Sequence, residues 1–209
     1  MNFAKDKLLG LFVLFFFVGL IIGSRSLSYP WFWDDLHLIR DFTPSELHSI
    51  LIGTFDVYGY PTLGYRPLMV FFDHARALVF GENTTALRLF EIILFAISLT
   101  VFASHLALLK VPYVFTALGG TLALCSHYNW FHQVWISDAI HTFAGLCVLF
   151  SALCLLMHID KPAPWKLAMS ATCAAMALFV TGRCYSDVSS YPWSKCPLYI
   201  SSFAQFPLC

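Results

Sequence analysis

The sequence predicts an all-α integral membrane protein with about five transmembrane helices and a long outer loop that carries amphipathic interfacial helices. Hydrophobic residues make up 59% of the 209 residues and charged residues only 11%, whereas an ordinary soluble domain has about 25% charged residues. Several apolar runs approach the roughly 20 residues that a membrane span needs. Lysine plus arginine equals aspartate plus glutamate, 12 each. This composition excludes a soluble enzyme, a disordered linker and a nucleic-acid-binding protein that works through a basic surface.

Five apolar runs are the predicted spans, and together they form one membrane domain over residues 1–182. The first run could also be a signal peptide, but no clean small-residue cleavage site follows it. The last is rich in alanine and barely long enough. The runs cover residues 8–23, 87–109, 111–125, 139–159 and 167–182. We expect the polar tail, residues 183–209, to be disordered or the aberrant terminus of a truncated chain.

The lysines predict the orientation of the spans. With the N-terminus in the cytoplasm, the short cytoplasmic segments hold Lys5, Lys7, Lys110, Lys161 and Lys166, and the opposite short loop, residues 127–137, holds no lysine or arginine. This distribution follows the positive-inside rule. We therefore expect a multi-pass protein of the bacterial inner membrane or the endoplasmic reticulum, with the long loop, residues 24–86, on the outer or lumenal side.

Two helices are predicted inside the long outer loop. Thr43-Pro44-Ser45-Glu46 has the pattern of a capping box, with proline at the first helical position. A second helix is predicted from about residue 67 to residue 80, and its two faces differ in polarity. The apolar face carries Leu68, Phe71, Phe72, Ala75, Leu78 and Val79, and the other face carries Arg66, Met69, Asp73 and Arg76. We expect both helices to lie in the membrane interface, although they could simply cap the bundle.

The first candidate site is the acidic pair Asp34 and Asp35, which follows the first span among aromatic residues, with His37 nearby. Partial desolvation and mutual repulsion raise the pKa of one carboxyl in such a pair, which suits a general base. The pair is also compatible with a divalent cation, Mg²⁺ or Mn²⁺, that bridges phosphates. The alternative is a solvated helix start, where aspartate is favoured by the helix dipole.

Two further candidates lie on the same side of the membrane. Arg66 precedes a helix-starting proline, and its planar guanidinium suits a phosphate; the alternative is an interfacial arginine that reaches the lipid head groups. Asp138 lies at the mouth of the fourth span, with His132 and His141 nearby. A carboxylate there is costly unless it is paired or functional, and the alternative is a helix cap.

Four short segments follow one another along the chain: Asp34-Asp35, Tyr65-Arg66-Pro67-Leu68, Phe80-Gly81-Glu82-Asn83 and Val134-Trp135-Ile136-Ser137-Asp138. In this order they resemble the N-terminal part of the GT-C superfamily of integral-membrane glycosyltransferases. The likeness is greatest to the transmembrane-and-tetratricopeptide-repeat O-mannosyltransferases and their bacterial relatives, and it covers about residues 8–158. The sequence departs from the family pattern at Phe95, where a histidine is frequent, and at Tyr128-Asn129, near the family's His-Pro. Family members also have many more spans.

The resemblance implies a polyprenyl-phosphate-linked sugar as donor and an inverting transfer to a hydroxyl of a protein, lipid or glycan on the outer or lumenal face. It implies that Asp34 or Asp35 is the base, that Arg66 binds the donor phosphate, and that Asp138 matches an acidic position of the second outer loop. The partners would also include membrane lipid, and no nucleic acid. The alternative is a non-catalytic truncated membrane protein, or a scaffold partner of a full-length enzyme. A transporter fits less well, because it needs polar or broken helices near the bilayer midplane.

Overall fold

The computed structural model describes residues 5–31, 35, 39–52, 67–126, 136 and 139–181. Regular structure in these residues is helical throughout, so the predicted all-α class is confirmed for this part of the chain. A short 3₁₀ turn, Ser26–Ser28, follows the first helix. The α-helices are α1 (Lys5–Gly23), α2 (Pro44–Ile52), α3 (Pro67–Phe80), α4 (Thr84–Leu108), α5 (Tyr113–Leu124), α6 (Ala139–Asp160) and α7 (Pro164–Thr181).

Three of these helices, α1, α4 and α6, are long and apolar enough to cross a membrane. The chain is therefore a helical membrane protein. Helix α5 is apolar but has only 12 residues, about 18 Å at 1.5 Å per residue, against a hydrocarbon core of about 30 Å. Helix α7 is also apolar and shorter than a typical span. The crossings predicted at residues 111–125 and 167–182 thus stay predictions.

Helix α4 is the central helix, because it contacts α1, the 3₁₀ turn, α3, α5 and α6. It runs antiparallel to α1: Leu11 and Phe15 pack with Ala103 and Ala96 in one buried cluster, and Gly19 lies against Ile92 nearer the other end. Alanines at this seam allow the two backbones to approach closely, which drives helix association in lipid.

At the seam between α1 and α5, a glycine leaves room for an aromatic ring. A Cβ atom on Gly120 would lie 2.4 Å from the Cε1 and Cζ atoms of the Phe15 ring, whereas a Cβ atom on the neighbouring Gly119 would meet nothing within 4 Å. The Phe15 ring therefore occupies the space that a side chain at position 120 would need.

Helices α6 and α7 form a hairpin. The Ser151 hydroxyl donates to the Ser170 carbonyl at 2.8 Å. At the connection, the Lys166 ammonium donates to the carbonyls of Met157 at 2.8 Å and Lys161 at 2.7 Å. The chain directions place this connection and Lys110 at one end of the bundle. The 3₁₀ turn and α3 lie at the opposite end, which we call the loop end.

Helix α2 begins with the predicted capping box. The Thr43 amide donates to Glu46 Oε2 at 2.8 Å, and the Glu46 amide donates to Thr43 Oγ1 at 3.4 Å. The Arg40 guanidinium donates to Glu46 Oε1 at 2.9 Å. The Thr43 amide, followed by Arg40, lowers the pKa of Glu46 to about 2. The box therefore keeps its charged form throughout the neutral range.

Helix α3 is amphipathic as predicted, but its charged face points into the protein. Asp73 and Arg76 are buried, whereas Leu78 and Val79 are 63% and 73% exposed. Phe72 stacks on Phe143 of α6, with ring centroids 4.8 Å apart. The helix thus turns its charges away from any surrounding lipid, while Leu78 and Val79 can face it.

Candidate functional site

Five charged side chains are buried together at the loop end, and we call them the charged cluster. Their exposed fractions are between 0 and 3%, although charged side chains are almost never fully buried unless they are paired. Electrostatic interactions connect all of them. The members are Asp35, Asp73, Arg76, Arg88 and Glu91.

Two helix faces supply four of the five members. Asp73 and Arg76 are three residues apart on α3, and Arg88 and Glu91 are three residues apart on α4, so each pair shares a face. Between the helices, Gly81 adopts a φ of 55°, a left-handed conformation that glycine adopts without steric cost. The connection therefore turns the chain so that the two pairs approach each other.

Arg88 binds the backbone that leads from α1 towards the acidic pair. Its Nη1 atom donates to the Tyr29 carbonyl, and its Nη2 atom donates to the Pro30 carbonyl at 2.8 Å. One turn earlier on α4, the Thr85 hydroxyl donates to the Leu27 carbonyl at 3.0 Å. Helix α4 thus holds three carbonyls of this segment.

Arg76 binds the backbone that leads into α6. Its Nη1 and Nη2 atoms donate to the Ile136 carbonyl at 2.9 and 3.0 Å. Its Nη2 atom also lies 3.1 Å from Asp73 Oδ1. Because this contact lacks the alignment of a hydrogen bond, we regard it as an ion pair only.

The carboxylates of the charged cluster have few hydrogen-bond donors around them. Both oxygens of Asp73 and both oxygens of Glu91 are buried without a hydrogen-bond partner among the described residues. Burial raises the pKa of Asp73 to about 7, the charge of Arg76 opposes this shift and the charge of Asp35 adds to it. The cluster holds three acids and two arginines, so one bound proton makes it neutral.

Of the residues proposed from the sequence, Asp35 and His141 lie in the described part. Asp35 is fully buried, its charge interacts with those of Arg88, Asp73 and Glu91, and its carbonyl accepts from the Ile39 amide at 2.9 Å. His141 is exposed on the first turn of α6. The other proposed residues lie outside the described residues: Asp34, His37, Arg66, His132 and Asp138.

A divalent cation does not fit the charged cluster. Among the described residues, no three His, Cys, Asp or Glu side chains form a group that could hold a metal ion. Two guanidinium groups lie among the carboxylates and already supply the positive charge that a cation would bring. The cation site predicted from the sequence is the pair Asp34 and Asp35, and it stays a prediction because Asp34 lies outside the described residues.

The candidate sites predicted from the sequence do not include Arg88 and Glu91. The signal was present, because ionisable residues inside an apolar span are rare and usually mark a function or a buried partner. The charged stripe of α3 was also recognised, but amphipathicity alone does not reveal which face meets the protein.

Comparisons of the chain with protein-family models, with curated proteins and with solved structures found no match in any of the three. Function is therefore inferred from the chemistry of the charged cluster together with the sequence resemblance.

Proposed function

We propose that the chain is a membrane glycosyltransferase, or the N-terminal part of one, of the GT-C type. It transfers a sugar from a polyprenyl-phosphate donor to an acceptor hydroxyl on the outer or lumenal face. In this proposal the chain crosses the membrane about five times with its N-terminus in the cytoplasm, so the loop end faces outward.

The observation that carries the proposal is the burial of Asp35 within the charged cluster. A buried carboxyl beside specific charge partners is a candidate for a functional site. The cluster also lies at the end of the bundle opposite Lys110, Lys161 and Lys166, where the positive-inside rule places the outer face. An outer site would meet a lipid-linked donor at the membrane surface.

The proposed reaction is a single displacement. Asp34 or Asp35 accepts the proton of the acceptor hydroxyl, and the hydroxyl oxygen attacks the anomeric carbon of the sugar. The bond from that carbon to the phosphate oxygen breaks, and the lipid phosphate leaves with its electron pair. Arg66 stabilises the negative charge on the departing phosphate. Attack opposite the leaving group inverts the anomeric configuration.

The test is sugar transfer from a polyprenyl-phosphate donor by membranes that contain the chain. Asp34→Asn and Asp35→Asn are made singly and together, because asparagine keeps the size and loses the proton acceptor. Loss of the base should lower the rate by about 100- to 10,000-fold. The matched control is Asp41→Asn in the same loop, whose side chain is 77% exposed, and it should transfer at nearly the wild-type rate. An active wild type with an equally active double variant would contradict the assignment.

The second candidate is a non-catalytic membrane protein that scaffolds a full-length enzyme. The observation in its favour is that Arg76 and Arg88 direct their terminal nitrogens to backbone carbonyls, which builds a structural junction without chemistry. This candidate expects no transfer by the chain alone. It also expects the Asp34→Asn, Asp35→Asn double variant to support a co-expressed enzyme as well as the wild type does.

A further inference from the structure

We propose that Arg76 and Arg88 are positioning residues that hold the two outer loops in a fixed mutual arrangement, with Glu91 as a buried carboxyl that interacts with both arginines. The proposed role of the loops in sugar transfer rests on the function proposed above. The holding of the loops itself is a property of the fold that is tested independently.

Each arginine binds the backbone of one loop. Arg88 binds the carbonyls of Tyr29 and Pro30, in the segment that leads to Asp35. Arg76 binds the carbonyl of Ile136, two residues before Asp138. Each contact joins residues about 60 positions apart in the sequence. The arginines thus connect the start of the first outer loop and the end of the second to the helix pair α3–α4.

Arginine suits these contacts better than lysine does. The rigid planar guanidinium donates from both terminal nitrogens in a fixed geometry. Arg88 uses this fork on two successive carbonyls, and Arg76 uses it on a single carbonyl. Lysine keeps the positive charge but replaces the fork with a single flexible ammonium. An arginine-to-lysine substitution therefore removes the fork geometry and keeps the positive charge, so it tests the positioning role separately from the charge.

Glu91 interacts electrostatically with both arginines. It is 2% exposed, and its charge interacts with those of both Arg76 and Arg88. Asp73 lies beside Arg76 and Asp35 interacts with Arg88, whereas Glu91 interacts with both arginines. Its replacement should therefore loosen both loops, whereas the loss of one fork should loosen one.

The first experiment is hydrogen–deuterium exchange of the full chain in detergent micelles or nanodiscs. In Arg88→Lys, the amides of residues 24–31 should exchange about 10-fold faster, as expected for increased local opening, and those of residues 139–146 should be unchanged. In Arg76→Lys the pattern should be reversed, and in Glu91→Gln both segments should exchange faster. Residues 113–124 of α5 serve as the internal reference, and Arg25→Lys, at an exposed position, is the matched control.

These exchange rates test whether the arginines hold the loops, and the test needs no measurement of sugar transfer. If both arginine variants leave the two segments as protected as the wild type, the proposal is overturned. Equal acceleration everywhere, including residues 113–124, would also overturn it, because it would indicate global destabilisation. If Glu91→Gln accelerates neither segment, a role of Glu91 in holding the loops is excluded.

The second experiment measures sugar transfer with the same variants. Arg88→Lys should lower kcat by about 10-fold or more while KM for the donor changes less than about 2-fold, since a misplaced base slows the chemical step more than it weakens ground-state binding. A loosened segment with unchanged kcat would remove the positioning role and leave a purely structural contact. If the wild type transfers sugar and the Asp34→Asn, Asp35→Asn double variant transfers it equally fast, the proposed function is contradicted. The result of the exchange experiment is unaffected by that outcome.

Discussion

The two parts of helix α4 are buried by opposite means. Near its N-terminus, Arg88 and Glu91 are buried ionisable residues at the loop end, and further along Ala96 and Ala103 pack against Leu11 and Phe15 of α1. All of these residues are almost inaccessible to solvent. One helix thus contains a polar junction and an apolar seam, separated by little more than one turn.

The difference teaches that burial has different consequences in the two regions. Desolvation of a charge costs several kcal/mol and must be balanced by well-placed partners, so the junction depends on individual atoms. The apolar seam depends on shape alone, because association of helices in lipid relies on close packing. Charge and pH should therefore perturb the junction, and added volume should perturb the seam.

The largest effect is expected from Asp73→Asn in the junction. Its folded-state pKa is raised from 3.8 to about 7 by burial. Its contribution to stability is therefore fully present below about pH 4 and is lost as the pH rises through about 7. One pKa unit corresponds to about 1.4 kcal/mol, so the wild type should lose up to a few kcal/mol across this range.

The measurement for Asp73 is the free energy of unfolding in mixed micelles between pH 4.5 and 8.5. Asp73→Asn should remove this pH dependence and be the more stable protein above pH 7. The exposed Asp41→Asn should keep the wild-type slope. A wild-type stability that does not change between pH 5 and pH 8 would contradict the raised pKa.

An intermediate effect is expected from Gly120→Ala in the apolar seam. The new methyl group would lie 2.4 Å from the Phe15 ring, and overpacking typically costs about 1–3 kcal/mol. Gly119→Ala is the matched control, because nothing lies within 4 Å of its Cβ position. The control should be as stable as the wild type, or slightly more stable because alanine favours helix. Comparable melting temperatures for the two variants would show that the Phe15 ring moves aside.

The apolar features of the fold were largely predictable from the sequence. Span-length runs correspond to α1, α4 and α6, and the pattern at Thr43 and Glu46 produces the capping box, because these signals are local. The junction was not predictable in the same way. Arg88 meets Tyr29 and Pro30 from 58 or more positions away, and no local periodicity specifies such a pairing. Of the proposed site, only Asp35 joins the charged cluster among the described residues.

The smallest effect is expected at the end of α4 opposite the charged cluster. Lys110 adopts a φ of 62°, a left-handed conformation that costs about 1–2 kcal/mol for a residue with a Cβ atom. The helix ends there in a Schellman motif: the Val111 amide donates to the Leu106 carbonyl at 2.9 Å, and the Lys110 amide donates to the Ala107 carbonyl at 3.0 Å. Glycine is the usual residue at this position.

Lys110→Gly should relieve the steric cost, but it also removes a positive charge that favours the helix C-terminus. The correct reference is therefore Lys110→Ala, which removes the same charge and keeps the Cβ atom. We expect Lys110→Gly to be more stable than Lys110→Ala by about 1 kcal/mol, because part of the steric gain is offset by the greater freedom of glycine in the unfolded chain. Unfolding of the two variants in the same micelles at one pH measures this difference. Equal stabilities would mean that the connection between α4 and α5 relaxes out of the left-handed conformation. The backbone at this end of the bundle would then adapt to a substitution, whereas the junction at the loop end depends on the placement of individual atoms.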